Sequence, residues 1–317
     1  MSHKTVIGCD VSKAWIDVAQ DDGTNIRERR VANVQEQIRQ WAERLPQRCE
    51  IGMEATGTMH ELLARTLVEL GHTVYVINPR WIHGYARNVG IRGKTDRSDA
   101  RLIARYVGAE AKHLHPYRPP TAEHAELQYL LKRRIELAKL RSAIKMSLGE
   151  QANAIVKEFN VLMKELERKI RRILAANSER KARAARLRQV PGVGPLVAAH
   201  LVNALERTPF RGSDAFVAHT GTDPRPNDSG QKRGRRRLTH HGDASLRGML
   251  FMAALAACKK PEWKAIYDHH RLKGLASTEA LNIVARKLAR IAFSIFKNGT
   301  TYDPVHVSCP QTRCLAS

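Results

Sequence analysis

The sequence predicts an α/β domain built on a mixed sheet, followed by a long, mostly helical remainder. Three observations carry that expectation. Apolar patterning with periods of two and of 3.6 residues alternates as βββαβαβα over the first hundred residues. The segment PYRPP at 116–120 interrupts both patterns, because proline neither continues a helix nor feeds a central ladder. From Thr121 to Gln189 there is no proline and only Gly149, while apolar residues recur at helical spacing.

Thr5–Cys9 and Trp15–Ala19 are short β-rich runs, and Ile26–Val31 is a third. Val34–Leu45 is amphipathic and stops at Pro46. Cys49–Met53 reads as a strand, Met59–Leu70 as a helix stopped by Gly71, Thr73–Ile77 as a β-branched strand, and Pro79 opens a further helix. Strands in such an order share a mixed sheet whose central members are buried on both faces. Beyond the break, Leu127, Leu130, Leu131, Ile135, Leu137 and Leu140 mark the first of two long helices, read as a coiled-coil hairpin. The second is dense in cations, from Lys164, Arg168, Lys169, Arg171 and Arg172 to Arg180, Lys181, Arg183, Arg186 and Arg188. That run is either a solvated face or a stripe against a phosphate backbone. The C-terminal part opens with LRQVPGVGPLVAAHLVNAL, passes through a Gly/Pro/Arg-rich loop at 221–239, and ends in helices near 243–259, 261–273 and 277–297. The expected division is 1–116, 117–189, 190–300 and a flexible tail at 301–317.

Charge points to a partner. The 317 residues hold 54 Lys+Arg against 31 Asp+Glu, a net +23 that attracts polyanions through release of condensed counterions. Nucleic acid is the leading partner on this ground alone. No apolar stretch approaches membrane-spanning length, and MSHKTVIGCDVSK does not read as a signal peptide, so a cytoplasmic chain with no membrane partner is expected. The 5 cysteines, Cys9, Cys49, Cys258, Cys309 and Cys314, contain no CxxC pair and predict neither a disulfide framework nor a zinc site.

Four carboxylates stand out in the first domain. Asp10 ends the first strand, Glu54 follows Cys49–Met53, and Asp96 and Asp99 open a helix in TDRSDARLIARYV, three residues apart on one face. Functional groups of α/β sheets collect beyond strand ends near helix N-termini. Four acids gathered there require a cation, and hard oxygen donors suit Mg²⁺ or Mn²⁺, ions that assist phosphoryl transfer. Arg92, Lys94 and Arg97 would form a phosphate-facing rim. Each acid also has a structural reading, as an N-cap, a dipole partner or a turn residue.

Two loops complete the candidates. VPGVGPLVAAHLV sets Gly192 and Gly194 between helices, a helix-hairpin-helix-like turn that can offer N–H groups to phosphate, or an ordinary helix connection. The segment DSGQKRGRRRLTHHGDASLRGML places Ser229 beside Gly230, then Lys232, Arg233, Arg235, Arg236 and Arg237, then His240, His241, Gly242 and Asp243. A serine in such a loop can attack a phosphodiester while the arginines stabilise developing charge. It can equally be a turn residue, and Ser245 is a competing serine at a helix start.

In their order along the chain, GCDVSKAWIDVA, GMEATGTMHELLARTL, INPRWIHGYARNVGIRGKTDRSDARLIARY, VPGVGPLVAAHL and DSGQKRGRRRLTHHGDASLRGML resemble the DEDD-type insertion-sequence transposases, the family that includes the Piv-type DNA invertases. The resemblance implies a RuvC-like, RNase H-type first domain with an acidic tetrad at Asp10, Glu54, Asp96 and Asp99. It implies a coiled-coil middle segment and a C-terminal transposase domain whose catalytic serine maps to Ser229. It further implies DNA strand cleavage and rejoining through a seryl-DNA intermediate, a bridge RNA pairing with donor and target DNA, dimers that assemble into tetramers, and residence on the bacterial nucleoid. Two other readings stay open from the residues themselves: a RuvC-like nuclease using the tetrad and water without a covalent intermediate, and a non-catalytic nucleic-acid-binding protein whose acids are caps.

Overall fold

The computed structural model describes residues 5–55, 57–90, 96–225, 228–229, 232–233, 237–239 and 242–307, with the backbone alone at 96–97, 225, 228–229, 232–233, 237 and 306. The chain divides into two compact units, Met1–Pro119 and Pro120–Ser317.

The first unit is the expected mixed α/β layer. Strands β1 (Val6–Val11), β2 (Trp15–Asp21) and β3 (Ile26–Ala32) form an antiparallel meander, and α1 (Gln35–Ala42), β4 (Glu50–Glu54), α2 (Glu61–Glu69), β5 (Thr73–Ile77), α3 (Pro79–Asn88) and α4 (Asp96–Glu110) follow. The sheet order is β3-β2-β1-β4-β5, with β4 parallel to both β1 and β5. Strand alternation divides the core into two layers. Ile7, Cys9, Val11, Ile51, Met53 and Val74 face Ile38 and Trp41 of α1 and Leu63 and Leu67 of α2. Tyr75 and Ile77 face Ile82 of α3 and Leu102, Ile103 and Val107 of α4. The PYRPP segment begins inside this unit: the Tyr117 N–H donates to the Val74 carbonyl at 2.6 Å and its side chain packs on the first layer.

The second unit is helical apart from a loop. It comprises α5 (Ala122–Leu148), α6 (Asn153–Ala176), α7 (Ser178–Leu187), α8 (Pro195–Arg207) and α9 (Ser213–Thr220), then the two-residue strands β6 (Pro224–Arg225), β7 (Asp228–Ser229), β8 (Lys232–Arg233) and β9 (Arg237–Leu238), then α10 (Ala244–Ala257), α11 (Pro261–Leu272) and α12 (Ser277–Asn298). The α5–α6 hairpin does not stand apart from the C-terminal helices. Leu127, Leu130 and Leu131 of α5 and Ile170 and Leu174 of α6 join one core with Val197, Phe216, Leu250, Trp263 and Leu288.

The expected second long helix breaks at Asn177, which adopts extended backbone at φ −115 and ψ 121 and accepts the Arg180 N–H at 3.0 Å to cap α7. Asparagine competes well with helix continuation through this side-chain bond. The cation run is therefore divided between α6 and α7, and Arg180 is neither solvated nor free for phosphate. Its guanidinium, 7% exposed, donates to Glu206 and Glu123, both at 2.9 Å, while Arg183 and His124 also reach Glu206. Burial opposes ionisation of Glu206, yet hydrogen bonds from His124 and Arg180 and the adjacent guanidinium charge hold its carboxyl below the usual range. This network ties α5, α7 and α8 together. Arg180→Ala, which strands a buried carboxylate, is expected to cost about 3–5 kcal/mol in urea unfolding, and adding Glu206→Gln should recover part of that loss.

Candidate functional site

Gly8 controls where the acidic residues of the first unit meet. A Cβ there would lie 2.0 Å from the Ala100 carbonyl oxygen and 2.4 Å from the Ala104 nitrogen, so α4 rests backbone to backbone on β1. Gly52, its partner on β4, accommodates Val107 and Ile103 in the same way. A Cβ on Gly108 would sit 4.0 Å from Val6. With Gly108 near Val6 and Ala100 near Gly8, α4 runs antiparallel to β1 and its N-terminal turn overhangs the carboxyl end of that strand. The positive end of the helix dipole lies there.

Asp10 shares the face of Gly8, two residues on, and Glu54 shares the face of Gly52. The parallel register pairs Gly8 with Gly52 and Cys9 with Met53, so Asp10 and Glu54 occupy the next level on neighbouring strands. Asp99 sits one residue before Ala100 and one helical turn before Ile103, both buried on the sheet. Asp96 begins the helix, but its side chain lies outside the described residues. The fold thus brings Asp10, Glu54 and the first turn of α4 to one sheet edge. Among the described residues no three His, Cys, Asp or Glu side chains form a group able to hold a metal ion. Asp10, Glu54 and Asp99 therefore do not make a cation site by themselves. The donor set is oxygen-only, which fits Mg²⁺ or Mn²⁺ once a further ligand joins it.

The neighbouring Cys9 takes no part. It faces the opposite layer, and burial, reinforced by the Asp10 charge, pushes its thiol far above the usual range.

Sequence reasoning missed Asp17. It is paired directly across β1–β2 with Asp10 and across β2–β3 with Arg30. The Arg30 guanidinium grips the buried carboxylate twice, at 2.9 and 2.8 Å. A row Asp10, Asp17, Arg30 therefore crosses the sheet beneath α4. Its signal was present as the single acid inside the apolar run WIDVA.

In the second unit, the serine loop is anchored at both roots. Thr239 donates its N–H to the Asp223 carbonyl at 3.1 Å, and Asp243 donates its N–H to the His219 carbonyl at 2.9 Å. A Cβ on Gly242 would fall 1.9 Å from that same carbonyl oxygen, so glycine alone permits this root. Between the roots, β6 pairs with β9, and β7 pairs with β8 through Asp228–Arg233 and Ser229–Lys232. The ladder carries Ser229 and Lys232 to a hairpin tip. Gly230, Gln231, Arg235, Arg236, His240 and His241 lie outside the described residues, as do Lys94 and Arg92. The side chains of Ser229, Lys232, Arg233, Arg237 and Arg97 lie outside them too. Ser245 is in the first turn of α10, where its N–H donates to Asp243 Oδ1 at 2.8 Å.

The two glycines of VPGVG differ. Gly192, at φ 82, abuts α10, where a Cβ would meet the Ala253 carbonyl oxygen at 2.1 Å. Packing therefore accounts for Gly192. Gly194 caps α8 with open space around it.

Two family profiles match the chain. One, described as a transposase of the DEDD IS110 type, covers residues 7–156, and another, described as the transposase IS116/IS110/IS902 family, covers 184–268. The chain belongs to the DEDD-type insertion-sequence transposase family. A pilin gene-inverting protein of Moraxella bovis is 28% identical over 79% of this chain and 81% of its own length. A probable family 20 transposase of Pseudomonas aeruginosa is 27% identical over 94% of this chain and 98% of its own. The transposase for insertion sequence element IS1328 of Yersinia enterocolitica is 24% identical over 96% of this chain and all of its own, at 100%. In this transposase-family chain the first matched region contains all four acids and the second contains the serine loop. No helix among the described residues is long and apolar enough to cross a membrane.

The close approach at Gly8 is directly testable. Gly8→Val is expected to destabilise the first unit by about 1–3 kcal/mol in thermal unfolding. Gly108→Ala, on the same helix at a helical position with room for a methyl, should stabilise by about 0.5–1 kcal/mol.

Proposed function

We propose that the chain is a transposase and site-specific DNA recombinase of an insertion sequence. The observation that carries this reading is the overhang of the α4 N-terminus on the carboxyl ends of β1 and β4, within a chain holding both domains of the family. Asp10, Glu54, Asp96 and Asp99 would hold Mg²⁺ or Mn²⁺ through oxygen donors alone. A divalent cation bound there supplies charge neutralisation and Lewis acidity at the phosphoryl group. Asp17, gripped by Arg30, stands directly opposite Asp10 on the neighbouring strand.

Ser229 is the nucleophile. Its oxygen forms a bond to the scissile phosphorus as the bond to one deoxyribose oxygen breaks. The serine proton passes to a base, and the departing oxygen leaves protonated. Lys232 and Arg233 are on the strand paired with that of the serine, Arg235, Arg236 and Arg237 follow in sequence, and their charge grips the phosphate and stabilises the transition state. Lys94, Arg97 in the first turn of α4, and the N–H groups beyond Gly192 and Gly194 hold the DNA backbone. Reversal of the seryl-DNA step by another strand's hydroxyl rejoins the DNA. Family membership supports a homodimer pairing into a tetramer, guided by a bridge RNA that pairs with donor and target DNA.

Incubation of purified protein with end-labelled element DNA and Mg²⁺ should give covalent protein–DNA adducts. Ser229→Ala should abolish them while leaving DNA binding within about twofold, since the serine contributes no charge. Asp10→Ala should abolish both adducts and cleavage. Adducts that persist in Ser229→Ala and vanish in Ser245→Ala would move the nucleophile to Ser245. Metal-dependent nicks with free ends and no adduct at any time would establish the hydrolytic nuclease instead.

A further inference from the structure

The second unit encloses a cavity of about 160 Å³ that the proposed strand chemistry does not use. Its walls come from α5, α8, the end of α9 and the start of α10, at the root of the serine loop. Asn203 of α8 lines it, and although this side chain is buried, its Oδ1 has no hydrogen-bond partner among the described residues. A buried amide oxygen without a partner is costly to a fold and calls for a ligand. His200 and His219 also line the cavity, and neither imidazole forms a hydrogen bond to another described residue. Burial holds His200 down to about 4 against the opposing charge of Asp243. Burial likewise lowers His219, with Asp243 opposing and Arg207 assisting. Both rings are therefore neutral at pH 7, each offering one N–H donor and one nitrogen acceptor.

This inventory selects among ligands. A phosphate is acceptor-only, and beside Lys132 and Arg207 it would also meet the Asp243 carboxylate and two imidazoles that carry no charge. Asn203, turned either way, presents one donor and one acceptor, as do the two rings. At roughly 30 Å³ per water the space equals about five waters, the scale of one heterocycle and far below a drug-sized pocket. A planar group with alternating donors and acceptors fits that description. Lys132 and Arg207, which also line the cavity, suit the phosphate that would accompany it.

We propose that this cavity receives a single unstacked nucleobase, adenine best of the four because an Asn amide pairs with it through two hydrogen bonds. The proposal rests on the nucleic-acid reading above. A base held at the root of the loop would fix the strand whose phosphate faces the hairpin tip, which makes Asn203 a positioning residue.

The test titrates the full chain with fluorescein-labelled single strands of equal length, as DNA and as RNA, each made in a base-bearing and a fully abasic form. Wild type should bind the base-bearing strand about tenfold more tightly. Asn203→Leu, which keeps the side-chain shape and removes the amide, should erase that margin and leave abasic affinity unchanged. His219→Phe, a second variant, should reduce it. Melting curves of both variants show which of them keep the wild-type fold. A margin that is undiminished in either folded variant overturns the proposal, as does equal wild-type affinity for the two forms. Failure to bind any strand overturns it together with the nucleic-acid reading. The arm that shows the margin, DNA or RNA, identifies the source of the base.

Discussion

Contact between backbones, with no room for a single methyl group, is the constraint on which the candidate site depends. At Gly8 the sheet and α4 meet so closely that a Cβ would overlap the Ala100 carbonyl. This contact fixes the helix along β1, and its direction decides which end of the helix faces Asp10. Were α4 raised by a side chain, Asp99 would withdraw from the carboxyl edge while the apolar residues Ile103 and Val107 lost their seats on Gly52. Small residues on the strands and acids two positions further on are therefore one device: the first admits the helix, and the second meets its positive end.

The second unit repeats the device. Gly192 lies against Ala253 of α10, and Gly242 lies against the His219 carbonyl. Together they lock the two ends of α10 onto neighbouring elements, one of them the root of the serine loop. Such contacts cannot adjust gradually, because an overlap of more than an ångström must move a whole helix. The loop is thus rooted on rigid helices, while among the described residues its two short ladders hold four residue pairs. A side chain carried this way has a fixed base and a short lever.

Much of the first unit was legible because strand alternation and helical period survive in the sequence. The βββαβαβα order, the β-branched run Thr73–Ile77 and the Asn78-Pro79 helix start all appear where patterning predicts. Asp10 and Glu54 were legible as acids closing apolar strands. Asp17 was not, because an acid inside a strand is read as facing solvent until the register shows Asp10 on one side and Arg30 on the other. The break at Asn177 escaped for a related reason. Its neighbours Ala175, Ala176 and Arg180 all favour helix, and only the side-chain bond back to the Arg180 N–H makes the interruption favourable. The cavity around Asn203 was invisible because its four walls are distant in sequence.

The net charge of +23 also changes meaning in three dimensions. Of the cations between Lys164 and Arg188, Arg168 pairs with Glu165 on the surface, while Arg180 and Arg183 are committed to Glu206, Glu123 and Glu179. Arg180 and Arg183 hold helices together and add little counterion release. Lys164, Lys169, Arg171, Arg172, Lys181 and Arg188 are exposed and form no ion pair among the described residues. Arg171, Lys181 and Arg188 line one apolar-walled groove between α6, α7 and the Gly194 end of α8. Affinity for a phosphate backbone depends on how many cations are able to neutralise phosphates and release their condensed counterions, not on how many the sequence contains. Within the Lys164–Arg188 run, the cations that form no ion pair among the described residues are therefore concentrated on the α6 surface and in the groove beside Gly194. The buried face of α7 uses its charge for architecture.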